Sequence, residues 1–151
     1  HAFIEQAEQL RENGIYLNDS QIDCAQTMTQ SQLMLLLYRS RIPYQSVTED
    51  EMYQTLTNWG VITKAEIAPT ALLSREEGAK YLIRLLGYDK LVQKADLFRY
   101  PYTDEGNAAL KGYVALAGGL GLLTVADDAI KPQAPLSIMD GFYGVYQALN
   151  Q

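Results

Sequence analysis

The sequence predicts a mostly α fold made of three helix–loop–helix repeats, and three observations predict it. An apolar helical run ends at a glycine followed by apolar residues, at Gly14-Ile15, Gly60-Val61-Ile62 and Gly121-Leu122-Leu123. A loop then leads to a helix start signal: Thr29-Gln30-Ser31-Gln32, Ser74-Arg75-Glu76-Glu77 and Ser137-Ile138-Met139-Asp140. The interval from glycine to cap is nearly constant, at 15, 14 and 16 residues. Recurrence over a few tens of residues marks repeated supersecondary units, each too small to bury its own apolar face. The units must therefore pack on one another, which puts binding function in the grooves between them.

Each element follows from local signals. Phe3 to Asn13 reads as a helix with Phe3, Ala7 and Leu10 on one face and Gly14 as its C′ residue. A polar loop through Asn18-Asp19-Ser20 leads to a capping box, in which Thr29 caps and Gln32 reaches back. The next helix turns Leu33, Leu36 and Leu37 inward and must stop before Pro43. In the second unit Glu49 to Trp59 is helical, Gly60 stops it, and a loop passes through Pro69. Ser74 and Glu77 then form the best capping box of the chain, opening a helix that buries Ala79, Leu82, Ile83 and Leu86 and ends at Gly87. Tyr88 to Asp96 predicts a short helix and Phe98 to Asn107 a loop. The third unit starts near Ala108, reaches Gly121, and passes Lys131-Pro132 and Pro135 to the cap at Ser137. Its last helix presents Phe142, Val145, Tyr146 and Leu149. Strand pairing is expected at most briefly, at Ile15-Leu17, Val61-Thr63 or Leu122-Thr124. No low-complexity linker divides the units, so residues 1–151 read as one domain with repeats at about 3–42, 47–87 and 98–151.

Composition narrows the function classes. With 48% apolar and 20% charged residues, the 151-residue chain has the makings of a real core. A net charge of −6 argues against nonspecific nucleic-acid binding, which needs clustered Lys and Arg. The one cysteine, Cys24, allows no internal disulfide and reads as a small half-buried residue. The one histidine, His1, sits at the terminus and reads as an appendage rather than a ligand. Cys/His zinc sites and Ser/His/Asp or Cys/His catalysis are therefore out of reach. No stretch nears the roughly 20 apolar residues that span a bilayer. The longest, Tyr113 to Val125, is broken by glycines. The chain opens without a signal-peptide pattern, as expected of a mature form or an excised domain.

Other clusters have structural readings. Glu49-Asp50-Glu51 and Glu76-Glu77 complement the dipoles of the helices they open. Asp104 and Asp127-Asp128 lack the alternating spacing of a calcium loop. Gly118-Gly119-Leu120-Gly121 lacks the lysine and preceding strand of a phosphate loop. Tyr100, Tyr102, Tyr113, Tyr143 and Tyr146 read as half-buried packing rather than sugar platforms. Nothing in the sequence calls for an enzyme or a cofactor.

The triple pattern resembles the S-layer homology (SLH) domain, a cell-surface anchoring module of bacteria. Unit two carries it best, in Asn58-Trp59-Gly60-Val61-Ile62, Pro69 and Leu73-Ser74-Arg75-Glu76-Glu77-Gly78. Unit three matches in Phe98, Asp104, Lys111-Gly112-Tyr113-Val114-Ala115-Leu116-Ala117, Gly121-Leu122-Leu123, Lys131-Pro132 and Pro135-Leu136-Ser137. Unit one keeps Gly14-Ile15 and Met28-Thr29. The resemblance implies a pseudo-threefold bundle with the second helices converging centrally. It also implies a non-catalytic, extracellular module whose inter-repeat grooves bind secondary cell wall polysaccharide, often pyruvylated. On this chain the implied site is Ser74, Arg75 and Glu77 at a helix N-terminus, with Trp59 and Gly60 offering a flat apolar face. The unpaired N–H groups and positive dipole end there, together with the Arg75 fork, suit a sugar carboxylate. Where the family has arginine after the cap, units one and three have Gln30 and Ile138, with Lys131 as a stand-in cation. Those departures leave a rival reading, a degenerate SLH-like domain that binds a protein partner or braces a larger secreted protein.

Overall fold

Three α-helices begin in reciprocal capping boxes. Thr29, Ser74 and Ser137 accept from the N–H of Gln32, Glu77 and Asp140, and each of those side chains accepts from the backbone N–H of its cap. In this computed structural model, which describes residues 2–18, 22–94, 101–104 and 109–151, these boxes open α2 (Gln30–Arg41), α4 (Arg75–Leu85) and α7 (Ile138–Leu149). The other helices are α1 (Ala2–Glu12), α3 (Glu49–Asn58), α5 (Asp89–Val92) and α6 (Lys111–Gly119), with a 3₁₀ turn at Lys64–Glu66. The expectations for His1, for Asp19-Ser20 and for Phe98 and Tyr100 lie outside the described residues. The fold is mostly α, as the sequence predicts.

The helix pairing does not follow the repeats. The capped helices α2, α4 and α7 pack on one another, while α3 packs on α2, α6 on α4 and α1 on α7. Each opening helix thus leans on the capped helix of the preceding unit, and α1 closes the cycle on α7. The core runs through all three, with Leu33, Leu36, Leu82, Ile83 and Val145 buried to 1% exposure or less.

The residue before each cap ties the units together. Met28 N–H donates to the Leu136 carbonyl (2.7 Å), Leu136 N–H to that of Leu73 (2.8 Å), and Leu73 N–H back to that of Met28 (3.0 Å). Three hydrogen bonds close a ring, and the three side chains are buried at its centre. Isolated β-bridges Thr27–Ser137, Thr29–Leu72 and Ser74–Pro135 flank it. This corrects the expected strand sites: Ile15, Val61, Ile62, Leu122 and Leu123 are buried as core residues instead, and pairing falls on the segments before the caps. Gly78 and Gly141, each four residues after a cap, let the ring lie close. A Cβ at Gly78 would sit 2.9 Å from Leu136 Cδ2, and one at Gly141 would run into Met28 Sδ.

The predicted stops hold with small adjustments. α3 ends at Asn58 with Trp59 as C-cap, and the short helix contracts to Asp89–Val92. Leu149, expected inward, is 46% exposed because it closes the last turn of α7. Gly14 has φ +83°, where a side chain is disfavoured, and a Cβ there would meet the backbone nitrogen of Tyr44 at 2.7 Å.

Leu73→Ala is expected to cost about 2–5 kcal/mol in urea unfolding, as buried leucines do. Leu72→Ala, next door but 65% exposed, is expected to stay within about 0.5 kcal/mol. Gly14→Ala is expected to cost about 2 kcal/mol or more, combining an unfavourable φ with a backbone clash.

Candidate functional site

The grooves are built where the first helical residue of each capped helix meets the loop of the next unit. The two leading N–H groups of each helix donate into that loop. Gln30 and Ser31 bond Ala71 and Pro69, Arg75 and Glu76 bond Ala134 and Pro132, and Ile138 and Met139 bond Gln26 and Cys24, at 2.8–3.1 Å. At α4 the next two N–H groups, of Glu77 and Gly78, go to the Ser74 side chain and carbonyl. The sequence expectation of unpaired N–H groups awaiting a sugar carboxylate is therefore corrected. Loop carbonyls from the neighbouring unit take them, because a buried helix start cannot leave donors unmet.

The side chain at that first helical position decides what each groove contains. Gln30, 3% exposed, donates from Nε2 to the Glu66 carbonyl (2.8 Å) and the Tyr81 hydroxyl (3.2 Å). Its Oε1 accepts from the Tyr53 hydroxyl (2.9 Å) and Ala68 N–H (2.7 Å). Burial holds Tyr53 and Tyr81 above the ordinary tyrosine pKa, so both stay neutral. This polar plug is complete.

Arg75 plugs the second groove. Its Nε donates to the Ile130 carbonyl (2.9 Å), its Nη2 to the Thr124 carbonyl (2.5 Å), and its Nη1 pairs with Asp140 at 3.0 Å. The guanidinium is buried, and its fork grips the third unit. Asp140 is thereby shared between capping α7 and holding Arg75. Glu77 is occupied by the Ser74 backbone and hydroxyl. Lys131 stands on the same loop, exposed, with its backbone N–H on Asp104 Oδ2 (2.7 Å) and φ at +53°.

Ser74, Arg75, Glu77 and Lys131 are therefore brought to one groove. Trp59 and Gly60 are not. Trp59 caps the C-terminal end of α3, stacked on Tyr38 at 6.0 Å with the Arg41 guanidinium 4.8 Å from its ring centroid. Arg41 in turn donates to the Leu85 carbonyl at the far end of α4, about a helix length (~15 Å) from Arg75. A ring held by two neighbours is packing, and Gly60 beside it is a helix stop with φ +80°.

Sequence reasoning missed the charged cluster behind the second loop. Glu66 pairs with Lys80 and Arg84, each at 2.7 Å, and accepts from Thr63 N–H. Arg84 also reaches Asp89 and the Tyr113 hydroxyl, which itself donates to Asp89. Burial opposes the Glu66 charge, but Lys80, Thr63 and Arg84 outweigh it and bring its pKa down to about 2. Glu66 lies on a turn with no motif of its own, so only the pairing of distant elements reveals it.

The third groove differs in kind. Ile138, buried to 1%, contributes no polar group, and a cavity of about 260 Å³ remains there between α1, α7 and the first loop. No protein-family model and no curated protein matches the chain. No helix among the described residues is long and apolar enough to cross a membrane.

Two outcomes follow for stability. Arg75→Ala is expected to cost about 3 kcal/mol in urea unfolding, since Asp140 and two carbonyls lose their donor. Glu66 has a folded pKa below its ordinary 4.5, so its stabilisation is full above that value and is lost as pH falls through about 2. Glu66→Gln is expected to lower Tm at neutral pH and to flatten the fall in Tm between pH 4.5 and 2.

Proposed function

We propose that this chain is a non-catalytic attachment module of SLH type, which binds cell wall polysaccharide at the bacterial cell surface through the groove between its second and third units. The observation that carries this reading is the closed ring of Met28, Leu136 and Leu73. It supports a pseudo-threefold packing of three equivalent units, each presenting the first turn of a capped helix to its neighbour's loop. Within that frame the second groove is the one whose capped helix opens on a cation, Arg75. Arg75 lies inside it, bound to the third-unit loop, and Lys131 stands at its mouth. An acidic sugar engages Lys131 first and competes with Asp140 for the Arg75 fork, both being planar carboxylates suited to it.

A second reading has its own observation. The apolar character of the third groove, centred on Ile138 and Phe142, favours a structural or interaction domain of a larger secreted protein. The two readings separate on purified cell wall sacculi of the source organism, with and without the secondary polysaccharide. Attachment predicts that the domain co-sediments with intact sacculi and is released once the polysaccharide is stripped. Lys131→Glu, an exposed change, is expected to weaken co-sedimentation about tenfold. Equal sedimentation with stripped and intact sacculi, or none with either, would set the glycan reading aside in favour of the second.

A further inference from the structure

We propose that the third groove is a binding site for a single-chain amphiphilic carboxylate, with its alkyl chain in the cavity and its carboxylate at Arg11. The proposal goes beyond the glycan reading and does not depend on it. In the first two grooves a polar side chain, Gln30 or Arg75, stands at that position and is hydrogen-bonded into the neighbouring unit. In the third, Ile138 occupies the same position and leaves about 260 Å³ lined by Phe3, Ala7, Ile15, Leu17 and Phe142. Those side chains offer an alkyl chain a water-poor surface and nothing to hydrogen-bond. The volume falls just below the usual range of ligand pockets, about 300 to 1,000 Å³, and suits one chain of medium length rather than a two-chain lipid.

Charge at the rim selects the head group. Tyr16, which lines the cavity, has two guanidinium groups against its ring. Arg39 Cζ lies 4.1 Å from the centroid and Arg11 Cζ 5.8 Å. Arg39 is buried at 2% exposure, and its hydrogen bonds go to neutral acceptors: the carbonyls of Tyr16 and Gln45 and the side chain of Asn18. Among the described residues no carboxylate forms an ion pair with Arg39 or Arg11. The cavity wall carries one carboxylate, Glu8, and one cation, Arg11, one turn apart on α1, while Arg39 lies behind Tyr16. Arg39, ion-paired with no carboxylate among the described residues, tips this balance positive beside an apolar cavity, the complement of an anionic amphiphile. Arg11 is exposed and holds the head group, while Arg39 adds its field from behind the ring.

Isothermal titration calorimetry with decanoate and decylamine, both below their micelle concentrations, tests this on the whole chain. Saturable one-to-one binding of decanoate is expected, with decylamine about tenfold weaker or worse. Arg11→Gln is expected to weaken decanoate about tenfold. Ala7→Leu, which fills the cavity from α1, is expected to abolish binding while the circular dichroism melt shows the fold retained. No saturable decanoate heat from the folded protein would overturn the proposal. So would equal affinity for decylamine, or wild-type affinity in both folded variants. Sedimentation on sacculi is a separate readout, so either result there leaves this one standing or falling alone.

Discussion

The ring of three backbone hydrogen bonds among Met28, Leu73 and Leu136 is the constraint on which the rest of the structure depends. Each bond joins two units, and none can form within one unit alone. Once it closes, the residue after each is fixed as a helix cap, and the first turn of each capped helix faces the loop of the next unit. The grooves, their plugs and the central packing of α2, α4 and α7 follow from that placement. Burial of the ring side chains removes water as a competitor, so these bonds have no easy alternative partner.

A cyclic arrangement explains why the compact helix pairs ignore the repeat boundaries. Within a unit a long loop separates opening and capped helices, whereas α3 follows α2 through the short segment 42–48, and α1 meets α7 across the ring. Hence α3 lies on α2, α6 on α4 and α1 on α7. Each unit donates apolar surface to another and cannot be removed singly. Glycine at positions 78 and 141 follows from the same geometry, despite its cost within a helix, since a side chain there would meet Leu136 or Met28.

The three grooves differ at one position, the first helical residue of the capped helix. Gln30 makes a neutral, fully bonded plug, Arg75 makes a charged brace between second and third units, and Ile138 leaves an apolar cavity. The fold holds its shape because the backbone bonds at that position are the same in all three grooves whatever the side chain. Side-chain chemistry is thus free to change without changing the architecture, which is how one module comes to present three different surfaces. The charged cluster of Glu66, Lys80 and Arg84 sits behind these grooves and ties the second loop to α4.

By itself the sequence determined the helical character, the three caps, the glycine stops and a periodic recurrence that called for the units to pack on one another. These are local matters: a serine or threonine three residues before a glutamate, glutamine or aspartate closes a helix start wherever it lies, and Gly14 or Gly60 ends a helix because few other residues accept positive φ. It also singled out Ser74, Arg75 and Glu77 with Trp59 and Gly60 as a candidate site, and Lys131 as a stand-in cation, through matching motifs. Only the tertiary structure decided that the N–H groups of α4 are taken by Ala134 and Pro132, and that Trp59 is held by Tyr38 and Arg41 a helix length away. It alone revealed that Arg75 is spent on Thr124, Ile130 and Asp140. Most of those partners are backbone carbonyls, which every residue type carries alike, so no pattern of side chains announces which of them a distant guanidinium or helix start will find.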